Sequence, residues 1–276
     1  MVSNKYTILV NSSDGFSDCW TPFFALLDNY WPNHDSVLLN TENTDWAEAP
    51  DYCSCTRIAL NEYEKISWSE CLIKALEKID TEFVLYFQED YFLDAPVRVD
   101  VLVGALSTIS NDKNIACIGL SAHGAHPPYE QNLFKGYIRV RQRSRYIVST
   151  QVSLWRRTSL ISYLRPKENG WEFEIFGSLR ACFSNEIFLL APYSSMDGGP
   201  AFSYIHTGII KGRWHPLVPK LFSSHGIDLD FTRRGFFVFK GRLESKYQVL
   251  KRLLYRPINL INIFCEIFML FVKNAK

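Results

Sequence analysis

Short apolar runs and amphipathic stretches take turns along the first half of the chain. Tyr6–Asn11 and Ser36–Asn40 are compact apolar runs bounded by polar turns, the pattern of buried strands. Between them Asp18–Tyr30 reads as a helix, ended by Trp31-Pro32, with Ser12-Ser13-Asp14-Gly15 supplying turn and capping chemistry. In Ser69–Ile79, Leu72, Ile73, Leu76 and Ile79 share one helical face, and Ser67 or Ser69 can cap it. Then Phe83-Val84-Leu85-Tyr86-Phe87 forms a strand-like run that stops at Gln88-Glu89-Asp90. A helix over Val99–Ile109 and a strand over Ile115–Leu120 continue the rhythm. This β-α-β alternation predicts an α/β fold with a mostly parallel sheet and helices on both faces.

The second half is less regular. Tyr146–Trp155 is strand-like, Arg156–Leu164 reads as a short helix, Gly170–Cys182 as a longer one, and Ile187–Ala191 as a last strand. Ser194–Trp214, rich in glycine and aromatics, reads as loop, and no internal repeat or low-complexity segment interrupts the chain.

The chemistry gathers where strands end. Two adjacent acids closing a buried strand repel each other and are costly to bury unpaired, so Glu89-Asp90 implies a cation, a proton-transfer role or a solvated acidic turn. Asp14 follows the first strand and Glu42 the second, where acids can hold a nucleotide's ribose and base or serve the turn itself. There is no GxGxxG and no GxxxxGK[ST], so a diphosphate would need another counter-charge, such as a divalent cation on Asp90.

Composition narrows the partners. The 276 residues are 47% hydrophobic and carry a net charge of +1, which gives no global case for nucleic acid. The charge is unevenly spread, however. From Arg233 onward ten basic residues face two acids, Glu244 and Glu266, a surplus of +8 that leaves −7 for residues 1–232. That polarity points to an anionic surface as a partner. Within the tail, Tyr247–Leu254 is basic and amphipathic, and Ile258–Val272 is strongly apolar but shorter than the ~20 residues that span a bilayer. A helix lying in the membrane interface, with Lys251, Arg252 and Arg256 toward lipid phosphates, fits this pattern, as does a helix packed on the protein's own core. The seven cysteines are scattered and odd in number, which suits reduced thiols, and the N-terminus shows no secretory signal.

In order along the chain stand Ile8-Leu9-Val10-Asn11-Ser12-Ser13-Asp14, Trp68-Ser69, Gln88-Glu89-Asp90-Tyr91, Gln151 to Trp155-Arg156-Arg157, Trp171-Glu172-Phe173-Glu174 and Arg180. This order resembles the GT-A glycosyltransferases, and more narrowly the bacterial enzymes that build surface polysaccharides such as O-antigen and capsule. The resemblance covers about residues 5–215, with Gln88 where the first Asp of the D-x-D motif usually stands.

The resemblance implies a GT-A-like catalytic domain over 1–232. Residues 1–120 would form its nucleotide-sugar-binding half and 121–232 its acceptor half, with 233–276 a membrane-associating helical tail. It implies transfer from a nucleotide-sugar of the UDP class to a lipid-linked oligosaccharide, inverting and metal-assisted. The setting would be cytoplasmic, peripheral on the inner face of a bacterial inner membrane. Donor contacts would come from Asn11, Asp14, Glu42, Glu89, Asp90, Lys211 and Arg213, with Mn²⁺ or Mg²⁺ on Asp90 and His206. Glu174, or failing it Glu172, would be the general base. A sugar-nucleotide nucleotidyltransferase or hydrolase, and a non-catalytic carbohydrate- or membrane-binding protein, are the alternatives.

Overall fold

The structure is a computed structural model that describes residues 6–59, 65–192, 199–239 and 256–274. Its centre is one eight-stranded sheet in the order β3-β2-β1-β4-β7-β5-β8-β6. The strands are β1 (Tyr6–Asn11), β2 (Val37–Asn40), β3 (Cys53–Cys55), β4 (Phe83–Gln88), β5 (Ile115–Gly119), β6 (Ile138–Arg139), β7 (Ser153–Arg156) and β8 (Ile187–Leu190). Four of the seven adjacent pairs are parallel: β1 with β2, β1 with β4, β2 with β3, and β5 with β8. The others are antiparallel, because β7 inserts between β4 and β5 and β6 closes the edge against β8. The mostly parallel α/β sheet is therefore present, with an antiparallel insertion in its second half.

Both faces are covered, and the period-two side-chain alternation shows how. Ile8, Val10, Phe83, Leu85 and Phe87 point to one core, joined there by α1 (Trp20–Tyr30) and α3 (Val99–Ser110). Leu9, Val84 and Tyr86 point to the other. That second core is sealed by α2 (Trp68–Glu77), α4 (Arg157–Tyr163) and α5 (Gly170–Ala181). Burial on both faces explains why these strands read as continuous apolar runs. Ser67 caps α2 by accepting the Glu70 N–H at 3.1 Å.

Two segments depart from the pattern-based reading. Only Ser153–Arg156 of the Tyr146–Trp155 stretch is strand. Upstream, the N–H groups of Val148, Thr150 and Gln151 go to side chains, on Ser178, Glu174 and Ser149, instead of to a neighbouring strand. Within Ser194–Trp214, whose residues 194–198 lie outside the described set, β9 (Ile209–Ile210) and β10 (Arg213–Trp214) form a small hairpin. Its two-residue turn is Lys211-Gly212, both at positive φ (52° and 77°), the backbone shape that a tight hairpin demands. A short α6 (Val218–Ser224) follows.

The chain's last described element is α7 (Pro257–Asn274). Among the described residues no helix is long and apolar enough to cross a membrane. The basic stretch Tyr247–Leu254 lies outside the described residues, whereas the half-exposed Arg256 is paired with Glu172. All seven cysteines are unpaired.

Candidate functional site

The carboxyl ends of β1, β2 and β4 lie side by side, because these strands are adjacent and parallel in the sheet. Asn11 and Asn40 end their strands in register, and the Asn40 amide donates to Asn11 Oδ1 at 2.8 Å, with both side chains buried. Beyond them Asp14 and Glu42 interlock. Asp14 Oδ1 accepts the Glu42 N–H at 3.0 Å, and Oδ2 accepts the N–H groups of Asn43 and Thr44 at 2.9 and 3.0 Å. In return Glu42 Oε2 accepts the Asp14 N–H at 3.1 Å. The Asp14 carboxylate thus shapes the turn after β2, and burial lifts the Glu42 carboxyl above its ordinary range.

β4 delivers Glu89 and Asp90, each only 6% exposed. Asp90 Oδ2 accepts the Thr207 hydroxyl at 2.6 Å and the Ile209 N–H at 2.9 Å, and the Asp90 carbonyl accepts the Gly208 N–H at 2.9 Å. Asp90 therefore fastens the turn that leads into the β9–β10 hairpin, and it keeps Oδ1 outside these bonds. Burial raises its carboxyl from the ordinary value despite those donors. Glu89 is raised further, first by burial and then by the neighbouring Asp90, with Arg234 pulling the other way.

The turn held by Asp90 presents His206 at the surface, its ring edge-on to His123 with centroids 4.6 Å apart. Lys211 and Arg213 occupy the exposed end of the hairpin, with the Lys211 ammonium 5.8 Å from the Phe237 ring centre. Next to Asp90, Tyr91 stacks on Tyr204 at 4.7 Å, and the Gln151 amide donates to the Tyr91 hydroxyl at 3.0 Å. The Tyr91 hydroxyl lies 3.2 Å from the Thr150 carbonyl oxygen.

Thr150 links this group to α5. Glu174 Oε1 accepts both the Thr150 N–H, at 2.9 Å, and the Thr150 hydroxyl, at 2.8 Å. Burial raises the Glu174 carboxyl, those two bonds and a longer one from Ser149 opposing it. Oε2 is left outside these bonds. Glu172 has a different place. It is the third residue of a capping box with Asn169 and is bound by Arg256 and Asn259 of the tail. Of the two acids on α5, Glu172 is committed to structure and only Glu174 turns toward the strand-end group.

A divalent cation would find two of the predicted ligands here, Asp90 and His206. Among the described residues no three His, Cys, Asp or Glu side chains gather as a ligand set. A protein cage is therefore not formed. The donor set fits only a hard cation that takes its remaining ligands from diphosphate oxygens and water, as Mg²⁺ commonly does.

Arg234 joins the segment after β1 at the same end of the sheet. It donates to Asp18 at 2.6 Å and to the Gly15 carbonyl at 2.6 Å, and its guanidinium lies over the Phe16 ring at 4.7 Å. It ties the segment after α6 back onto the turn after β1. In sequence it is one more base in a basic tail, and nothing local marks its partner more than two hundred residues away. His123, Tyr204 and Thr207 were equally invisible, since each gains its role only from tertiary neighbours.

No family model and no curated protein matches the sequence. Among solved structures the chain is similar to S. aureus TarS. One crystal structure aligns over 71% of this chain and 36% of that chain, at 17% identity and a TM-score of 0.45. TarS 1-349 in complex with UDP aligns over 71% of this chain and 59% of that chain, at 15% identity and a TM-score of 0.47. A further crystal structure of TarS 1-349 aligns over 83% of this chain and 68% of that chain, at 15% identity and a TM-score of 0.45. The chain thus spans less than two thirds of the length of the first two of these proteins. Likenesses this loose add no argument to what the sheet and its strand ends show by themselves.

Proposed function

We propose that the protein is a glycosyltransferase acting on a nucleotide-sugar of the UDP class, with a saccharide hydroxyl, carried on a lipid, as acceptor. The observation that carries the reading is Glu174. It is a half-buried carboxylate with one oxygen fixed by Thr150, the other outside those bonds, and it is joined through Thr150 to Tyr91, next to Asp90. Such an arrangement suits a general base.

In the proposed reaction the acceptor oxygen attacks the anomeric carbon and the bond from that carbon to the diphosphate oxygen breaks. The acceptor proton passes to Glu174 Oε2, and the electron pair leaves with the nucleoside diphosphate. One displacement of this kind inverts the anomeric centre. Asn11 and the Asp14–Glu42 latch shape the nucleoside end of the site, and Lys211 and Arg213 offer positive charge to the leaving diphosphate. Asp90 and His206 would hold a divalent cation, which supplies charge neutralisation on the diphosphate when bound. The glycine-rich phosphate loop of a nucleotidyltransferase is absent from the sequence, which disfavours that alternative.

The test is nucleoside-diphosphate release from a panel of UDP-sugars in the presence of bacterial lipid-linked saccharides, with and without Mn²⁺. The proposal expects acceptor-dependent release by the native protein and a loss of about 100- to 10,000-fold in turnover for Glu174→Gln, the usual worth of a general base. Donor affinity should be little changed, because a base acts in the transition state. Equal turnover in native protein and variant would overturn the assignment of Glu174.

A further inference from the structure

Surface helices ordinarily turn their polar side outward, and α7 does the reverse. At 100° per residue, Arg256, Asn259, Ile263 and Glu266 fall on one stripe. This stripe is the docked one. Ile263 is 3% exposed, Arg256 and Asn259 bind Glu172, and Glu266 accepts Arg165 Nε at 3.0 Å and Arg180 Nε at 2.9 Å. Arg180 is itself anchored by Glu168 and by the Tyr163 carbonyl at 2.9 Å. The opposite stripe carries Ile258, Ile261, Phe264, Phe268, Met269 and Phe271, each more than 60% exposed. Ion pairs on the inner side leave the helix no rotation that would hide these side chains.

We infer that the outer face of α7 is seated in the interface of an anionic lipid bilayer. Three observations select that occupant. The helix is about 27 Å long and no described helix is able to span a membrane, so it lies along a surface. Its single acid, Glu266, faces inward and is neutralised by two arginines, which leaves no acidic side chain toward lipid phosphates. The sequence around it is basic, with Lys251 and Arg252 before the helix and Lys273 and Lys276 at its end, within a tail of surplus +8. A second copy of the chain would bring the same surplus against itself, whereas anionic head groups complement it.

The helix also rests on α5. Glu172 and Arg180 meet α7, whereas Glu174 on the same α5 meets Thr150, so α7 and α5 together stand between the lipid face and the candidate base. The inference itself stands on α7 and needs no transfer reaction.

The test is co-sedimentation of the full chain with vesicles of phosphatidylglycerol and phosphatidylethanolamine, against vesicles of phosphatidylcholine alone. The native protein should pellet with the anionic vesicles, and the double variant Phe264→Glu/Phe268→Glu should lose at least tenfold in vesicle affinity. Both side chains are exposed, so its thermal unfolding should match that of the native protein and any response to UDP should persist. A UDP response that is absent from both proteins would count against the proposed function and leave the lipid seat standing. The inference is overturned if the native protein stays in the supernatant, or if the variant pellets equally well. It is also overturned if light scattering shows a dimer that the variant dissolves without any vesicle binding.

Discussion

Glu172 and Glu174 sit two residues apart on one helix and have opposite fates. Side chains at that spacing face different ways, so one meets the tail and the other meets the strand ends. The two predictions that follow differ in kind. Glu172→Gln removes the charge that Arg256 binds and weakens the capping box, so it should cost about 1 kcal/mol in chemical denaturation and leave turnover near native. Glu174 should govern the acidic limb of the pH–rate profile. A base must be ionised, and burial raises this carboxyl above the ordinary glutamate value, so activity should fall as pH drops through a point above 4.5. A profile flat to the ordinary glutamate range would contradict that role. The pattern of residue types pointed to both acids, but the side each takes depends on Thr150 and Arg256, which are remote in sequence.

Among the elements, the turn that leads into the β9–β10 hairpin packs closely on the segment after β4. A Cβ on Gly208 would meet the Phe92 ring and come within 2.8 Å of the Asp90 carbonyl oxygen. Gly208→Ala should therefore destabilise the fold by about 1–3 kcal/mol and disturb the Thr207–Asp90 bond, which would show as lost transfer at temperatures where the variant remains folded. The docking of α7 should depend on acid. The Glu266 carboxyl is raised by burial but lowered more by Arg180 and Arg165, for a net depression. An acid whose pKa falls on folding contributes stability that is present above its unfolded value and is lost as pH falls through its folded value. Protease sensitivity of the tail should accordingly rise below about pH 4.5, the ordinary glutamate value, and Glu266→Gln should raise it at neutral pH. Unchanged cleavage in that variant would contradict the ion-pair account. The helices and strands of the first half were readable from periodicity because both sheet faces are buried. The stretch before β7 was not, since its N–H groups are satisfied by Ser178, Glu174 and Ser149 and form no ladder.

For the whole molecule, the sheet brings the ends of β1, β2 and β4 together and the segments after residue 200 close over them. Thr207 binds Asp90, and Arg234 binds Asp18 and Gly15. The acids at the strand ends were legible as a group because each follows an apolar run. Their closure was not, because an arginine or threonine in a loop carries no mark of a partner so distant. The central claim is that this closed strand-end group is a site for a UDP-sugar. It is tested most directly by a thermal-shift titration of the native protein and Asp90→Asn with UDP and UDP-sugars, with and without Mn²⁺. Ligand that binds only the folded state stabilises it, by about 2.7 kcal/mol at a hundred times its dissociation constant. The account predicts a saturable rise in melting temperature for the native protein and a much smaller rise for Asp90→Asn. No rise with any UDP ligand, or equal rises in both proteins, would contradict it.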